Sequence, residues 1–169
     1  MIIWIIGLAG SGKTTIGKEV YLQMKGRNPA TVFLDGDDIR DIMGGDLGYA
    51  RDDRYANAWR ISRLCGYLDR QGIDVVCAIL SCFQEHRDWC RSNFSRYFEI
   101  AIDVNLPTLR SRDQKGLYSG ALNGTIRNVV GIDLPYDLPS KADMVIENSE
   151  SLTEFSTVVG RIINALDAT

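Results

Sequence analysis

The feature that most constrains the fold is a glycine-rich octapeptide near the start of the chain. Residues Gly7 to Thr14 read GLAGSGKT and fit the pattern G-x-x-x-x-G-K-[ST] at every fixed position. The run before it, Ile2 to Ile6, is entirely apolar, and a helical pattern follows from Lys13 to about Lys25, where Gly26 is expected to end it. A buried strand, a glycine loop and a helix in this order predict the first unit of an α/β fold.

The octapeptide has the composition of an anion-binding loop. Glycines let the backbone curl so that its N–H groups point inward, and the following helix presents its positive end to the same anion. We expect Lys13 to reach the β- and γ-phosphates of ATP and the Thr14 hydroxyl to bind Mg²⁺. The alternative is a glycine-rich turn without a ligand. The predicted ATP-binding residues of the loop are Gly7, Ala9, Gly10, Ser11, Gly12, Lys13, Thr14 and Thr15.

Apolar runs and helical patterns alternate along the rest of the chain, which predicts βαβ units and a parallel sheet within a single domain of residues 1–169. The further predicted strands are Thr31–Leu34, Ile73–Leu80, Phe98–Val104 and Met144–Ile146. The further predicted helices are Asp38–Met43, a long helix capped by Asp52 or Asp53 that reaches Gln71 and is closed by Gly72, then Gln84–Ser95, Leu106–Arg112 and Leu152–Leu166.

The segment of residues 114–140 departs from this alternation. It contains four glycines and two prolines and also carries Lys115 and Arg127. Long loops inside a compact domain are often functional lids, so we predict a mobile lid, which we call the lid segment. The alternative is a plain surface excursion.

The composition disfavours several classes of protein. With 169 residues, 45% hydrophobic residues and a net charge of −3, the chain fits a globular domain and not a broad nucleic-acid binder. The opening MIIWII is too short for a membrane span and no positive residue precedes it, so we expect a cytoplasmic protein without a membrane segment. The four cysteines form no CxxC pair, which favours buried or half-buried thiols over a zinc site. A catalytic Cys82 paired with His86 is disfavoured, and His86 is predicted to be a surface helix residue.

Acidic side chains follow the second predicted strand. The turn Asp35–Asp38 lies at a strand's carboxyl end, which faces the ligand crevice in an open parallel sheet. We expect Asp37 to coordinate Mg²⁺ or to accept the proton of an attacking hydroxyl, with Asp35 as a second candidate. The alternative is helix capping, which we expect of Asp38.

Three further polar residues are candidates for binding an anionic acceptor. Arg40 follows the acidic turn, and Arg54 and Asn57 lie three residues apart on one face of the long helix. An arginine fork suits phosphate or sulfate oxygens. Surface salt bridges with nearby aspartates are the competing interpretation.

These segments resemble the adenylylsulfate kinase (APS kinase) family of P-loop kinases over nearly the whole chain, from Ile3 to about Asn148. The matching segments are GLAGSGKTT from Gly7, LDGDDIR from Leu34, DLGYARDDR from Asp46, RDQKGLY from Arg112 and GIDLPYDLP from Gly131. The resemblance implies transfer of the ATP γ-phosphate to the ribose 3′-hydroxyl of adenylyl sulfate. It also implies five parallel strands with helices on both faces, and a homodimer.

The resemblance implies a set of site residues as well. Lys13 and Asp37 would be the catalytic residues, with Asp37 as the base. Thr14 and Asp37 would bind Mg²⁺. Asp37 would also contact the acceptor nucleotide. Arg112 would lie near ATP, and Ser81 matches a serine that can be phosphorylated in some members. The implied acceptor-binding residues are Asp37, Arg40, Tyr49, Arg54, Asn57, Leu80, Ser81, Lys115, Leu117 and Val129, with Tyr49 stacking on the base and Lys115 and Leu117 in the lid.

The departures from the family lie in its base-reading segments. The family usually reads Phe-Ile-Ser-Pro-Tyr-Arg at residues 79–84 and Glu-Asn-Ile-Arg-Arg at residues 56–60, and it has a phenylalanine where this chain has Val129. That phenylalanine closes an aromatic sandwich around adenine. Its loss suits either a relative that phosphorylates cytidine diphosphoramidate on its ribose in capsule biosynthesis, or drift among adenylylsulfate kinases. A nucleotide-binding regulator without catalysis, a small-metabolite kinase and an ATPase remain open.

Overall fold

The computed structural model describes residues 1–113, 115–149 and 155–168. Its five strands form one parallel sheet in the order β2-β3-β1-β4-β5. The predicted parallel five-stranded sheet is therefore confirmed. The strands are β1 (Ile2–Ile6), β2 (Thr31–Asp35), β3 (Asp74–Ile79), β4 (Tyr97–Asp103) and β5 (Met144–Glu147).

Seven helices connect or follow these strands in the described part of the chain. Most lie within two or three residues of their predicted bounds; the predicted start of the last helix, at Leu152, lies outside the described residues. The helices are α1 (Lys13–Arg27), α2 (Gly36–Ile42), α3 (Arg51–Arg70), α4 (Gln84–Asn93), α5 (Leu106–Ser111), α6 (Leu117–Leu122) and α7 (Phe155–Asp167).

Strand β1 separates two hydrophobic clusters because its side chains alternate between the faces of the sheet. Ile3 and Ile5 pack with Ile16 of α1 and Ile162 of α7 in one cluster. The other cluster contains Ile2, Trp4 and Ile6, together with residues of α3 and α4. All five residues of β1 are fully buried. The predicted helices on both faces are confirmed, and so is the buried position of Trp4.

Helix termini differ from the prediction at two points. Helix α1 runs on to Arg27, so Gly26 lies inside it. The residue that precedes α3 is Ala50, which has no side-chain cap, and Asp52 and Asp53 lie in the first turn instead. Carboxylates there still favour the helix because they lie beside its positive end. Gly72 follows α3 with a φ of 73° and closes it as expected.

The lid segment contains a helix that its glycine-rich sequence did not predict. Helix α6 begins after Gly116, whose φ is 64°. The Asp113 carboxylate accepts hydrogen bonds from the backbone N–H groups of Tyr118 (3.1 Å) and Ser119 (2.8 Å), which satisfies the first turn. Six residues therefore form a helix where the sequence predicts a loop.

One further prediction, on the position of His86 in α4, is wrong. His86 is 1% exposed and its ring lies 4.5 Å from the rings of both Tyr55 and Trp59, so its predicted surface position is wrong. The cysteines agree with the prediction: Cys65, Cys77 and Cys90 are buried and Cys82 is half-buried. Within the three described ranges, no helix has the length and apolar character needed to cross a membrane.

Candidate active site

A cavity of about 380 Å³ opens where β1, β2 and β3 end at their carboxyl termini. This is where ligands bind in open α/β sheets. Most of the predicted site residues line it. They are Ala9, Gly10, Lys13, Thr14, Asp37, Arg40, Tyr49, Arg54, Asn57, Leu80, Ser81, Arg112, Lys115, Leu117 and Val129.

Four predicted loop residues are not part of the cavity lining. Ser11 is fully buried, and the Gly7 backbone packs against its side chain. Gly12 precedes α1 as its N-cap, and the Thr15 side chain is exposed. Any contact of these four residues with a ligand would therefore be made through the backbone or after a rearrangement.

The glycine loop has the backbone shape that anion binding requires. Gly10 and Gly12 have φ values of 76° and 91°, which side-chain-bearing residues rarely adopt. Helix α1 follows with no side-chain cap and no acidic residue in its first turn. Its first N–H groups are thus available to an anion, and the helix dipole favours one at this position.

Two buried side chains that the sequence analysis missed fix the shape of this loop. The Asn148 side-chain amide donates a 2.8 Å hydrogen bond to the Ser11 carbonyl, and the Tyr118 hydroxyl donates one of 2.7 Å to the Ala9 carbonyl. Both loop carbonyls are thereby fixed by hydrogen bonds from outside the loop. The sequence signal for Asn148 was its position directly after β5, because the carboxyl ends of parallel strands meet at the edge where the site lies.

Lys13 lies between the loop and the acidic turn. Its ammonium donates a 3.4 Å hydrogen bond to the Leu8 carbonyl. Burial lowers the pKa of Lys13, although the carboxylates of Asp35 and Asp37 act in the opposite direction. A phosphate group in the cavity would satisfy this half-buried cation far better than one carbonyl does.

Asp35 has the capping role that the sequence analysis gave to Asp38. Its carboxylate accepts a 3.0 Å hydrogen bond from the Asp37 backbone N–H and one of 2.7 Å from the Thr14 hydroxyl. Asp38 lies in the first turn of α2, and capping by it is wrong. Mg²⁺ binds through oxygen ligands, usually one or two from the protein with phosphate and water, and the oxygens of Thr14, Asp35 and Asp37 fit that ion.

Asp37 forms an ion pair with a residue of the lid segment. The Lys115 ammonium donates a 2.9 Å hydrogen bond to its carboxylate. Burial alone would raise the pKa of Asp37, but this bond and the charges of Lys115, Lys13 and Arg40 lower it below its usual value. Asp37 is therefore ionised at neutral pH, as a hydrogen-bond acceptor for a hydroxyl must be.

Arg40 and Asn57 place unpartnered polar atoms at the cavity wall. They are 8% and 5% exposed, and no atom of the described residues bonds Nε or Nη1 of Arg40 or Oδ1 of Asn57. Buried polar groups are normally paired, so these atoms are suited to a bound polar ligand. No carboxylate lies within ion-pair distance of Arg40 or Arg54 in the described part of the chain, which disfavours the salt-bridge interpretation.

Arg54 links α3 to the lid segment. Its guanidinium donates hydrogen bonds to the carbonyls of Tyr49 (2.8 Å) and Asn128 (2.9 Å). Burial lowers the pKa of Arg54. The guanidinium carbons of Arg40 and Arg54 lie 4.7 and 5.3 Å from the centroid of the Tyr49 ring, which is half exposed. Tyr49 is thus oriented by two cations and keeps area free for a planar group.

Val129 and Ser81 both lie at the wall of the cavity but are almost fully buried. Val129 is 6% exposed, and its backbone N–H donates to the Asp133 carboxylate at 2.5 Å. Ser81 is also 6% exposed, and its hydroxyl oxygen accepts a 3.0 Å hydrogen bond from the Trp4 indole. A hydroxyl held in this way is poorly placed for phosphorylation.

The parallel sheet, the glycine loop at the start of α1 and the acidic turn opposite define this protein as a P-loop kinase. A model of the adenylylsulphate kinase family matches residues 1–147, and the chain belongs to that family. The resemblance seen in the sequence is therefore confirmed.

Individual relatives differ in the nucleotide that their names specify. The chain is 44% identical to a cytidine diphosphoramidate kinase of Campylobacter jejuni over 148 residues, which is 88% of this chain and 86% of the relative. It is 34% identical to an adenylyl-sulfate kinase of Clostridium kluyveri over 167 residues, 98% and 83% of the two chains. Its structure is similar to the Mycobacterium tuberculosis APS kinase in complex with AMPPNP and APS, with a TM-score of 0.88, 30% identity and coverage of 98% and 96%.

Proposed function

We propose that this protein transfers the γ-phosphate of MgATP to the 3′-hydroxyl of the ribose of a small nucleotide. The observation that carries the proposal is the shared cavity: Lys13 and Thr14 of the loop line the same space as Asp37, Arg40 and Asn57. A phosphate donor and a polar acceptor can therefore meet in one site. The family and its nucleotide kinase members support the same reaction.

In this mechanism the protein acts mainly by positioning and by charge stabilisation. The loop amides and Lys13 bind the phosphates and stabilise the charge that develops on the transferred group. Asp37 accepts a hydrogen bond from the ribose hydroxyl and orients or deprotonates it. Mg²⁺, held by Thr14 and Asp37, would neutralise charge on the phosphate oxygens. Closure of the lid segment excludes water and so suppresses ATP hydrolysis.

Of the two candidate acceptors, we favour cytidine diphosphoramidate. The cytidine diphosphoramidate kinase shares 44% of its aligned residues with this chain, against 34% for the adenylyl-sulfate kinase of Clostridium kluyveri. Val129 also supports this choice, because a valine offers no second aromatic face to adenine. Adenylyl sulfate is the second candidate, supported by the family as a whole and by the fold match to an APS kinase.

An ADP-release assay with each acceptor at equal MgATP tests the proposal. We expect turnover with cytidine diphosphoramidate and a lower kcat/KM with adenylyl sulfate. The reverse preference would overturn the choice of acceptor but not the reaction. ADP release without any acceptor would identify an ATPase, and no release with either nucleotide would favour a non-catalytic binding protein.

A cytoplasmic location and a homodimer belong to the same proposal. Four cysteines, all free, suit a reducing compartment in which ATP is available. Light scattering of the purified protein tests the dimer.

A further inference from the structure

The wall between β3 and α4 contains a backbone conformation that is unusual for its residue. Ser81 has a φ of 48°, in the left-handed region that residues with a Cβ seldom adopt. Ser81 and its neighbours Leu80, Cys82 and Phe83 all line the cavity. Such strain persists only where surrounding contacts over-determine it, and it is concentrated at functional sites.

A buried arginine supplies the main contact to this strained residue. Arg87, in the first turns of α4, is 5% exposed and donates a 2.5 Å hydrogen bond from Nη1 to the Ser81 carbonyl. Its Nη2 donates to the Gln84 side-chain oxygen at 2.5 Å. The family usually has an arginine where this chain has Gln84. The Trp4 indole donates to the serine hydroxyl, so the carbonyl and hydroxyl oxygens of Ser81 are both held by hydrogen bonds.

Arg87 also forms an ion pair with a buried carboxylate of the central sheet. Its Nε lies 3.6 Å from the carboxylate of Glu99, a residue of β4 that is 1% exposed. Glu99 also accepts a 2.7 Å hydrogen bond from the Tyr97 hydroxyl. A buried ion pair usually adds little stability over apolar packing of the same volume, so its presence here calls for another explanation.

We propose that Arg87 is a positioning residue for the phosphoryl acceptor: anchored on Glu99, it holds the strained Ser81 so that residues 80–83 form the acceptor wall of the site. The inference rests on the proposed function, since it assigns this wall to the acceptor nucleotide. Arg87 does not line the cavity and acts only through Ser81. The phosphate loop is held by different hydrogen bonds, from Asn148 and Tyr118.

The test is a set of variants with separate measurements for the two substrates. Arg87→Met removes the hydrogen bonds, and the double variant Arg87→Met/Glu99→Gln also removes the unpaired buried charge, which keeps the test valid if the single variant folds poorly. Arg87→Lys restores the charge and one donor. Arg91→Met is the matched control, because Arg91 also lies near Glu99, at 3.8 Å, but bonds Asp143 and Lys141 and not Ser81.

For the double variant we expect the KM for cytidine diphosphoramidate, or for adenylyl sulfate if that is the acceptor used, to rise about tenfold. The KM for ATP should stay within about twofold of its wild-type value. Arg87→Lys should recover part of the loss, and Arg91→Met should leave both constants within about twofold. An acceptor KM that rises less than about threefold, or both constants rising together, would overturn the proposal.

Amide hydrogen exchange separates this inference from the proposed reaction. In the double variant, a peptide covering residues 80–84 should exchange faster, while one covering residues 7–14 should not change. Unchanged exchange at residues 80–84 would overturn the positioning role even if the enzyme is active. A wild-type protein that phosphorylates neither nucleotide would overturn the proposed function instead, and the exchange result would still decide the role of Arg87.

Discussion

Lys115 and Asp37 are joined by a 2.9 Å hydrogen bond that spans 78 positions of the sequence. It ties the lid segment to the acidic turn across the mouth of the cavity. The bond raises the pKa of Lys115 and contributes to the lowered pKa of Asp37. Because Asp37 is the proposed partner of the acceptor hydroxyl, we infer that Lys115 leaves this carboxylate when the acceptor binds and pairs with an anionic group of the substrates.

Replacing Asp37 by asparagine should reduce catalysis far more than it weakens MgATP binding, because the asparagine side-chain oxygen can still be a Mg²⁺ ligand. Asparagine cannot accept the hydroxyl proton, and general-base contributions are typically about 10²- to 10⁴-fold, so kcat should fall by that order. Single-turnover assays and ATP titration check both quantities. Asp38→Asn is the matched control, because Asp38 is exposed and does not line the cavity. A kcat for Asp37→Asn within about threefold of wild type would contradict the assigned role.

Replacing Lys13 by alanine should abolish phosphoryl transfer. The ammonium stabilises charge in the transition state from a partly buried position, where the loss of one such group costs about 10²- to 10³-fold or more. The exposed Lys18, one turn further along α1, provides the control as Lys18→Ala. ADP release by the two variants is the measurement. Wild-type turnover by Lys13→Ala would contradict the role of Lys13 in stabilising the transferred group.

The sequence predicted those parts of the fold that depend on local pattern. Apolar runs predicted all five strands, and the glycine loop marked the start of α1, because both signals lie within a few adjacent residues. The order of the strands was not predicted, because it depends on pairing between strands that are distant in the sequence. Caps were less predictable: Asp35, Asp37 and Asp38 are neighbours, and only the backbone shows that Asp35 bonds the Asp37 N–H.

The site features that escaped prediction depend on contacts between distant residues. Asn148 supports Ser11 across 137 positions, and Tyr118 supports Ala9 across 109. The burial of His86 arises from aromatic rings of α3 and of the preceding loop, which no pattern within α4 reveals. Tertiary packing decided each of these cases, and a single sequence contains no direct signal of it.

Introducing an aromatic ring at position 129 should improve the use of adenylyl sulfate. One stacked base face is worth about 1–3 kcal/mol, so Val129→Phe should raise kcat/KM for adenylyl sulfate by about 5- to 150-fold relative to cytidine diphosphoramidate. Val129→Leu adds volume without a planar face and serves as the control. Competition between the two nucleotides at fixed MgATP gives the ratio directly. Equal ratios for both variants would show that stacking at this position does not select the base.

Acid should destabilise the protein through His86. Burial lowers the pKa of His86 to about 4, with the Glu85 carboxylate opposing the shift and Arg87 adding to it. In the unfolded chain the same ring takes up a proton near its ordinary pKa of 6.5. Between these two values the unfolded state binds more protons, so the free energy of unfolding rises with pH. Stability present at pH 7 is therefore lost as the pH falls from about 6.5 through about 4.

The expected loss over this range is about 1–3 kcal/mol, since each pKa unit corresponds to about 1.4 kcal/mol. Urea unfolding followed by tryptophan fluorescence at pH 7.0, 5.5 and 4.5 measures it. Carboxylates also titrate near the lower end, so the comparison is with His86→Phe, which keeps an aromatic ring against Tyr55, Trp59 and Phe83. The variant should lose less stability between pH 7.0 and 4.5 than the wild type. Parallel curves for the two proteins would show that His86 is protonated in the native state as readily as in the unfolded chain.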